Sequence, residues 1–245
     1  MKRFFAADIE PGTTRVRLDR EESRHLTRVL RLQVGDPVEL FDGSGALYTA
    51  EVEGLGKEVS VLLRGGSEAG AADEPPVVVC QGDLKGQKID FLVEKCTELG
   101  VDRFIPFVAD RSQGRRDDER QMKKLLRRRT IVKTACKQSG RLRFMEVEPE
   151  SGFSDLLTTG LDDDRCLKLI LWEKEQGVTL ADVVRAESVT RVYLMFGPEG
   201  GFSAAEAEQA LAAGWQPVGL GTRILRAETA TIAAVSITQH LLGNM

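Results

Sequence analysis

Two glycine-bearing stretches hold the residues best suited to chemistry. In FGPEGGFS, residues 196–203, Gly197, Pro198, Gly200 and Gly201 surround one carboxylate, Glu199. In LGTRILRAE, residues 220–228, Gly221 precedes Arg226 and Glu228. Glycine allows a sharp turn and lets a ligand lie against the main chain, whose N–H and C=O groups can bond it. Either stretch alone would also serve as a plain strand-to-helix turn. Two of them in consecutive units can form opposite walls of one pocket. Neither matches G-x-x-x-x-G-K-[ST], and neither gives G-x-G-x-x-G after a first strand with an acid about 20 residues on, so P-loop and Rossmann nucleotide sites are poorly supported.

A third group of residues is basic. Residues 111–143 hold 13 Lys or Arg against 3 Asp or Glu, within a chain of net charge −4. A concentrated positive segment can meet phosphate locally even when the whole protein is acidic. Most of residues 123–133 reads equally well as a solvated helix face. Arg111, Gln138 and Arg141 stand beside small or polar residues at segment ends, where side chains point into clefts. Arg3, Arg15, Arg17, Arg24, Arg28 and Arg31 give the N-terminal part a possible phosphate surface, although acids interleave them. Phe4 and Phe5 suit either base stacking or core packing, and His25 reads as a structural residue.

Metal and triad chemistry find little support. The cysteines Cys80, Cys96, Cys136 and Cys166 form no C-x-x-C pair, and His25 and His240 are far apart. No metal is expected, and the thiols read as buried or idle in a reducing cytoplasm. The longest apolar runs fall far short of the roughly 20 residues a membrane span needs, and the N-terminus lacks an apolar signal core. A soluble cytoplasmic protein is the expectation.

The elements that must position these residues fall into two groups. Residues 1–70 read as short strands with Asp-Gly and Gly turns, interrupted by one short helix over 23–32, which suggests a small β-barrel domain. The stretch 64–76, rich in Gly, Ala, Pro and acids, reads as a linker. From about residue 75 to 245, strand-like runs (VVVCQ, RFIPFVA, LKLILW, RVYLMF, PVGLG) alternate with helical ones, the pattern of an α/β domain around a parallel sheet. The clearest helix spans 87–99, with Ile89, Leu92, Val93, Cys96 and Leu99 on one face and Gly100 as its stop. Ser203 followed by Glu206 is a capping box, so the first glycine stretch leads into a helix. Glycine turns at the carboxyl ends of parallel strands are where such sheets bind ligands.

Taken together, RFF at 3–5, HLTRVLRLQVGD at 25–36, EKCTELGV at 94–101, RS at 111–112, KQSGR at 137–141, FGPEGGFS at 196–203 and LGTRILRAETA at 220–230 resemble the small-subunit ribosomal RNA methyltransferase E family of the SPOUT superfamily. The resemblance spans nearly the whole chain, and the last two motifs are its most specific part. It implies methylation of a uracil base at N3 in 16S ribosomal RNA. It also implies an N-terminal PUA-like RNA-binding barrel, a C-terminal SPOUT domain with a deep trefoil knot, and a homodimer with each active site completed across the interface. S-adenosylmethionine would be held by Phe196, Gly197, Pro198, Glu199, Gly200 and Gly201 on one side and by Leu220, Gly221, Ile224, Leu225 and Arg226 on the other. Arg226 would stabilise charge on the uracil, Glu199 or Glu228 would take the proton or orient Arg226, and Arg111 and Arg141 would hold RNA. A catalytically idle RNA-binding module and a ribose 2′-O methyltransferase are the alternatives.

Overall fold

Short β-branched and aromatic runs build the first of two units, and longer apolar runs alternating with amphipathic helices build the second. The computed structural model describes residues 1–7, 9–68, 75–109, 118–158, 165–175, 177–185 and 189–245. The first unit comprises Met1–Ala71 with Lys133–Phe144, and the second Ala72–Val132 with Met145–Met245.

The first unit contains β1 (Lys2–Phe5), β2 (Arg15–Arg17), α1 (Arg20–Arg24), a π-helical turn at His25–Val29, β3 (Pro37–Phe41), β4 (Ala46–Gly54) and β5 (Ser60–Glu68). The strands pair in the order β1-β3-β4-β5-β2, β1 parallel to β3 and the others antiparallel. Register shifts at Thr49/Ala50 and Val52/Gly54 bend β4 against β5. One core results, built from Phe4, Leu18, Leu26, Val38, Leu40, Val52 and Val61. Phe4 therefore packs inside and offers no ring to a base, while Phe5 lies against Phe41 and Phe144.

Two readings of this unit need correction. The helix expected over 23–32 begins earlier, because the Asp19 carboxylate caps α1 by accepting from the Glu22 N–H at 2.7 Å. It then widens into the π turn, and Arg31, at φ 55°, bends the chain so that the Leu32 N–H returns to the Leu26 carbonyl at 3.2 Å. The stretch from Arg64, read as linker, is strand as far as Glu68, since Gly65 and Gly66 pair with Thr49 and Tyr48. Glu22, fully buried, receives the Lys137 ammonium at 2.7 and 2.8 Å, which fastens Lys133–Phe144 to this unit.

The second unit runs through β6 (Val77–Gly82), α2 (Lys88–Glu98), β7 (Arg103–Val108), α3 (Asp118–Ser139), β8 (Glu146–Val147), β9 (Ser151–Gly152) and α4 (Phe153–Leu157). It continues with β10 (Cys166–Leu171), α5 (Leu180–Val183), β11 (Arg191–Phe196), α6 (Ala204–Ala212), β12 (Gln216–Val218) and α7 (Ala227–Leu242). From Lys133 onward, α3 belongs to the first unit. The sheet is parallel throughout, in the order β12-β10-β11-β6-β7-β8 with β9 also on β7. Such strands are covered on both faces, which is why they read as unbroken apolar runs. Tyr193, Trp215, Phe107, Phe153 and Phe202 fill one side of the sheet. On α2, Ile89, Leu92, Val93 and Cys96 are buried, each of the three aliphatic side chains stabilising by about 1.5–3 kcal/mol.

The charged face of α3 is not uniformly solvated. Arg128 is only 5% exposed and faces Asp90, and Arg127 pairs with the same carboxylate at 2.8 Å. Burial lowers the pKa of Arg128, opposed by Asp90. Among the described residues no helix is long and apolar enough to cross a membrane, and no cluster of His, Cys, Asp or Glu is placed to hold a metal.

Candidate active site

In the sheet order β12-β10-β11-β6, four neighbouring parallel strands end on the same edge, so the loops that follow them must lie side by side. Between these loops is a cavity of about 740 Å³. Phe196, Gly197, Pro198, Glu199, Gly200 and Gly201, after β11, line it, and so do Leu220, Gly221, Ile224, Leu225 and Arg226, after β12. Glu228, in the first turn of α7, lines it too. The two glycine stretches thus share one cavity.

Local sequence explains how each loop is held. Ser203 caps α6, accepting from the Glu206 N–H at 3.2 Å, while the Glu206 carboxylate accepts from the Ser203 N–H at 2.8 Å. This capping box, worth about 1 kcal/mol, fixes where the first loop ends. Gly219 packs directly on the Glu175 carbonyl, leaving no space for a side chain, and its N–H donates to the Val178 carbonyl at 2.9 Å. Gly201 has φ +65°, and a Cβ there would lie 3.0 Å from Glu173 Oε1. At these points the missing side chains make room for the chain itself.

Several wall residues have no signal near the glycine motifs. Lys88, at the start of α2, places its ammonium 3.1 Å from Glu199 and 3.3 Å from Glu228. Glu199 also accepts from the Lys85 N–H at 3.0 Å. Desolvation opposes ionisation of Glu199, yet the Lys85 N–H and the Lys88 ammonium together hold its pKa below the ordinary carboxylate value, while its hydrogen bond raises that of Lys88. Behind the loops, fully buried Gln81 donates to the Gly82 and Gly197 carbonyls at 3.2 Å and accepts from the Thr231 hydroxyl at 2.7 Å. It joins β6, the first glycine loop and α7. A polar residue closing the apolar run VVVCQ was the available clue to it. Trp172, Glu173 and Glu175, after β10, complete the wall.

The cavity contains both engaged and idle groups. Among the described residues, one oxygen of Glu228, Oε2, is buried with no donor to accept from, and the Trp172 Nε1–H is buried with no acceptor. Arg223 and Arg226 are exposed and make no ion pair among the described residues.

Apart from Arg111, the residues read as an RNA surface lie in the first unit. Arg3 is paired with Glu39 at 2.9 Å and donates to the Gly140 carbonyl, and Arg15 is paired with Glu53 at 2.8 Å. Arg17, Arg24, Arg28 and Arg31 are exposed and make no ion pair among the described residues. Gln138 is exposed at the end of α3 and Arg141 is half-buried. Arg111 lies outside the described residues.

Residues 72–239 match the family described as RNA methyltransferase domain, and residues 18–62 the RNA methyltransferase PUA domain. The ribosomal RNA small subunit methyltransferase E of Bacillus subtilis is 33% identical over 224 residues, spanning 90% of this chain and 88% of that protein. The same-named protein of Mycobacterium tuberculosis is 30% identical over 242 residues, spanning 96% and 89%. The Neisseria gonorrhoeae ribosomal RNA small subunit methyltransferase E, solved bound to S-adenosyl methionine, has a TM-score of 0.87 with 32% identity and covers 98% of both chains. Because the identity extends over both units and the matched region contains every loop of the cavity, the chain belongs to the ribosomal RNA small subunit methyltransferase E family.

Proposed function

We propose that this protein methylates N3 of a uridine in 16S ribosomal RNA, with S-adenosylmethionine as donor. The observation that carries the reading is that both glycine loops, from consecutive strand–helix units, line one cavity at the carboxyl edge of a parallel sheet. The cavity fits that donor. Its volume falls within the roughly 300–1,000 Å³ of small-molecule sites, Leu171, Val218, Leu220 and Leu225 offer apolar walls for an adenine, and unpartnered polar atoms are available. Bound there, the donor supplies an electrophilic methyl group on a sulfonium sulfur.

The chain's residues would orient the base and manage its charge. Uracil N3 carries a proton at neutral pH, and losing it spreads negative charge onto the flanking carbonyl oxygens. Arg226, at the start of α7 and in no ion pair among the described residues, would stabilise that charge. Glu228 has an oxygen with no donor on it and would accept the proton. Glu199 is engaged by Lys85 and Lys88, and would position this edge of the cavity instead of acting as base.

The same reading includes RNA binding by the first unit through Arg17, Arg24, Arg28 and Arg31, with Gln138 and Arg141 as further contacts, and action in the cytoplasm. The deep trefoil knot belongs to it as well, as the resemblance carried by FGPEGGFS and LGTRILRAETA implies. So does a homodimer, supported by exposed Phe91, Ile224 and Ile237 on the second unit. Light scattering measures the dimer directly.

The decisive experiment maps modified uridines in ribosomal RNA from cells lacking this gene. Loss of one N3-methyluridine, restored by the intact gene, is the expected result. Loss of a ribose 2′-O-methyl group, or no change, overturns the reading.

A further inference from the structure

The cavity contains four carboxylates, and they are not equivalent. Glu199 and Glu228 share the ammonium of Lys88. Glu175 turns its Oε1 onto its own loop, accepting from the Gly177 and Val178 N–H groups at 2.7 and 3.1 Å. Glu173 has no hydrogen bond and no ion pair among the described residues. Its neighbour Lys174 offers no compensation, since that ammonium lies 5.7 Å over the Trp172 ring.

Glu173 is nevertheless well placed. It follows β10 by two residues, and its Oε1 occupies the space left open by Gly201, 3.0 Å from where a Cβ would sit. An exposed carboxylate lying against the cavity wall, with no cation paired to it among the described residues, is suited to a ligand that brings positive charge. We infer that Glu173 recognises the sulfonium charge of the methyl donor and so distinguishes it from the neutral thioether left after transfer. In transfer the uracil nitrogen forms a bond to the methyl carbon, the S–CH₃ bond breaks, its electron pair returns to sulfur, and the N3 proton passes to a base. The positive charge on sulfur disappears. The attraction to Glu173 disappears with it, so the same residue that holds the donor favours release of the product.

This inference rests on the reading of the cavity as the donor's site, and binding measurements separate the two. Calorimetry on the full chain, wild type and Glu173→Gln, would use S-adenosylmethionine and S-adenosylhomocysteine as probes. The variant is expected to bind S-adenosylmethionine about tenfold more weakly, the effect of one partly screened charge pair, with S-adenosylhomocysteine changed less than about twofold. Glu173→Asp should recover part of the loss. Equal weakening for both ligands, or none for either, overturns the sulfonium assignment alone. Wild-type protein that binds neither ligand overturns the donor-site reading itself. Should Glu173→Gln fail to fold, the wild type still decides: its preference for the sulfonium ligand should narrow as salt rises from about 0.05 to 0.5 M, and a preference indifferent to salt counts against the inference.

Discussion

The basic residues of α3 and the first unit look, in sequence, like the richest source of positive charge, whereas the cavity lining, among the described residues, holds Arg223, Arg226 and Lys88. In the structure much of that excess is already engaged, although Arg17, Arg24, Arg28 and Arg31 make no ion pair among the described residues. Arg3, Arg15 and Arg64 are held by Glu39, Glu53 and Glu51, Lys133 and Lys137 by Asp19 and Glu22, Arg127 and Arg128 by Asp90, and Lys123 by Glu119. The two cavity arginines make no ion pair among the described residues. Charge density along a chain therefore says little about charge available to a ligand. What matters is which carboxylates the fold brings alongside, and most such surface pairs add only about 0–1 kcal/mol to stability while removing a cation from use.

The comparison can be broken most directly at Arg226. Arg226→Ala should lower the methyl-transfer rate by about 100- to 1,000-fold while leaving donor affinity within about threefold, as single-turnover kinetics and calorimetry would show. An unchanged rate would mean that an unpaired guanidinium in the cavity is idle. The opposite case is Glu22→Gln, which leaves Lys137 without its counter-charge. It should destabilise by about 2–3 kcal/mol and lower the melting temperature by about 5–10 °C, with donor affinity unaffected.

A finer test compares paired with unpaired arginines on the first unit. Replacing Arg24 and Arg28 together by alanine should weaken binding to a small-subunit RNA fragment about tenfold at roughly 0.1 M salt and reduce the salt slope by about 1.4. Arg15→Ala, removing an arginine already engaged by Glu53, should change affinity less than about twofold, the limit set by a weak exposed pair. The smallest effect concerns pH. Glu199, with its pKa lowered, keeps its charge until pH falls through that lowered value, and Lys88, with its pKa raised, keeps its charge until pH rises above the ordinary lysine value. Donor affinity should therefore vary less than about twofold from roughly pH 5 to 10, as titrations across that range would show.

Much of the second unit was legible because parallel strands and α2 announce themselves through apolar runs and a 3.6-residue period. The glycine stretches were legible for a related reason, since a capping box and a strand end bracket them locally. Lys88 was not, because its partners Glu199 and Glu228 lie over 100 positions away and nothing about a lysine at a helix start signals them. Glu173 and Glu175 sit in a charged loop whose composition reads as ordinary surface. Only the order β12-β10-β11-β6 reveals that this loop faces the glycine stretches. The π turn at His25–Val29 was hidden for a different reason, because its side-chain pattern over so few residues matches that of an α-helix.

The salt bridge between Glu22 and Lys137 bears on the order in which the protein is made. When the first 71 residues have left the ribosome, the glutamate they must bury has no cation, and the faces of Phe5 and Phe41 that Phe144 will cover are still wet. The N-terminal unit cannot reach its final packing until more than 70 further residues have emerged. During that interval a nascent chain would remain a substrate for chaperones.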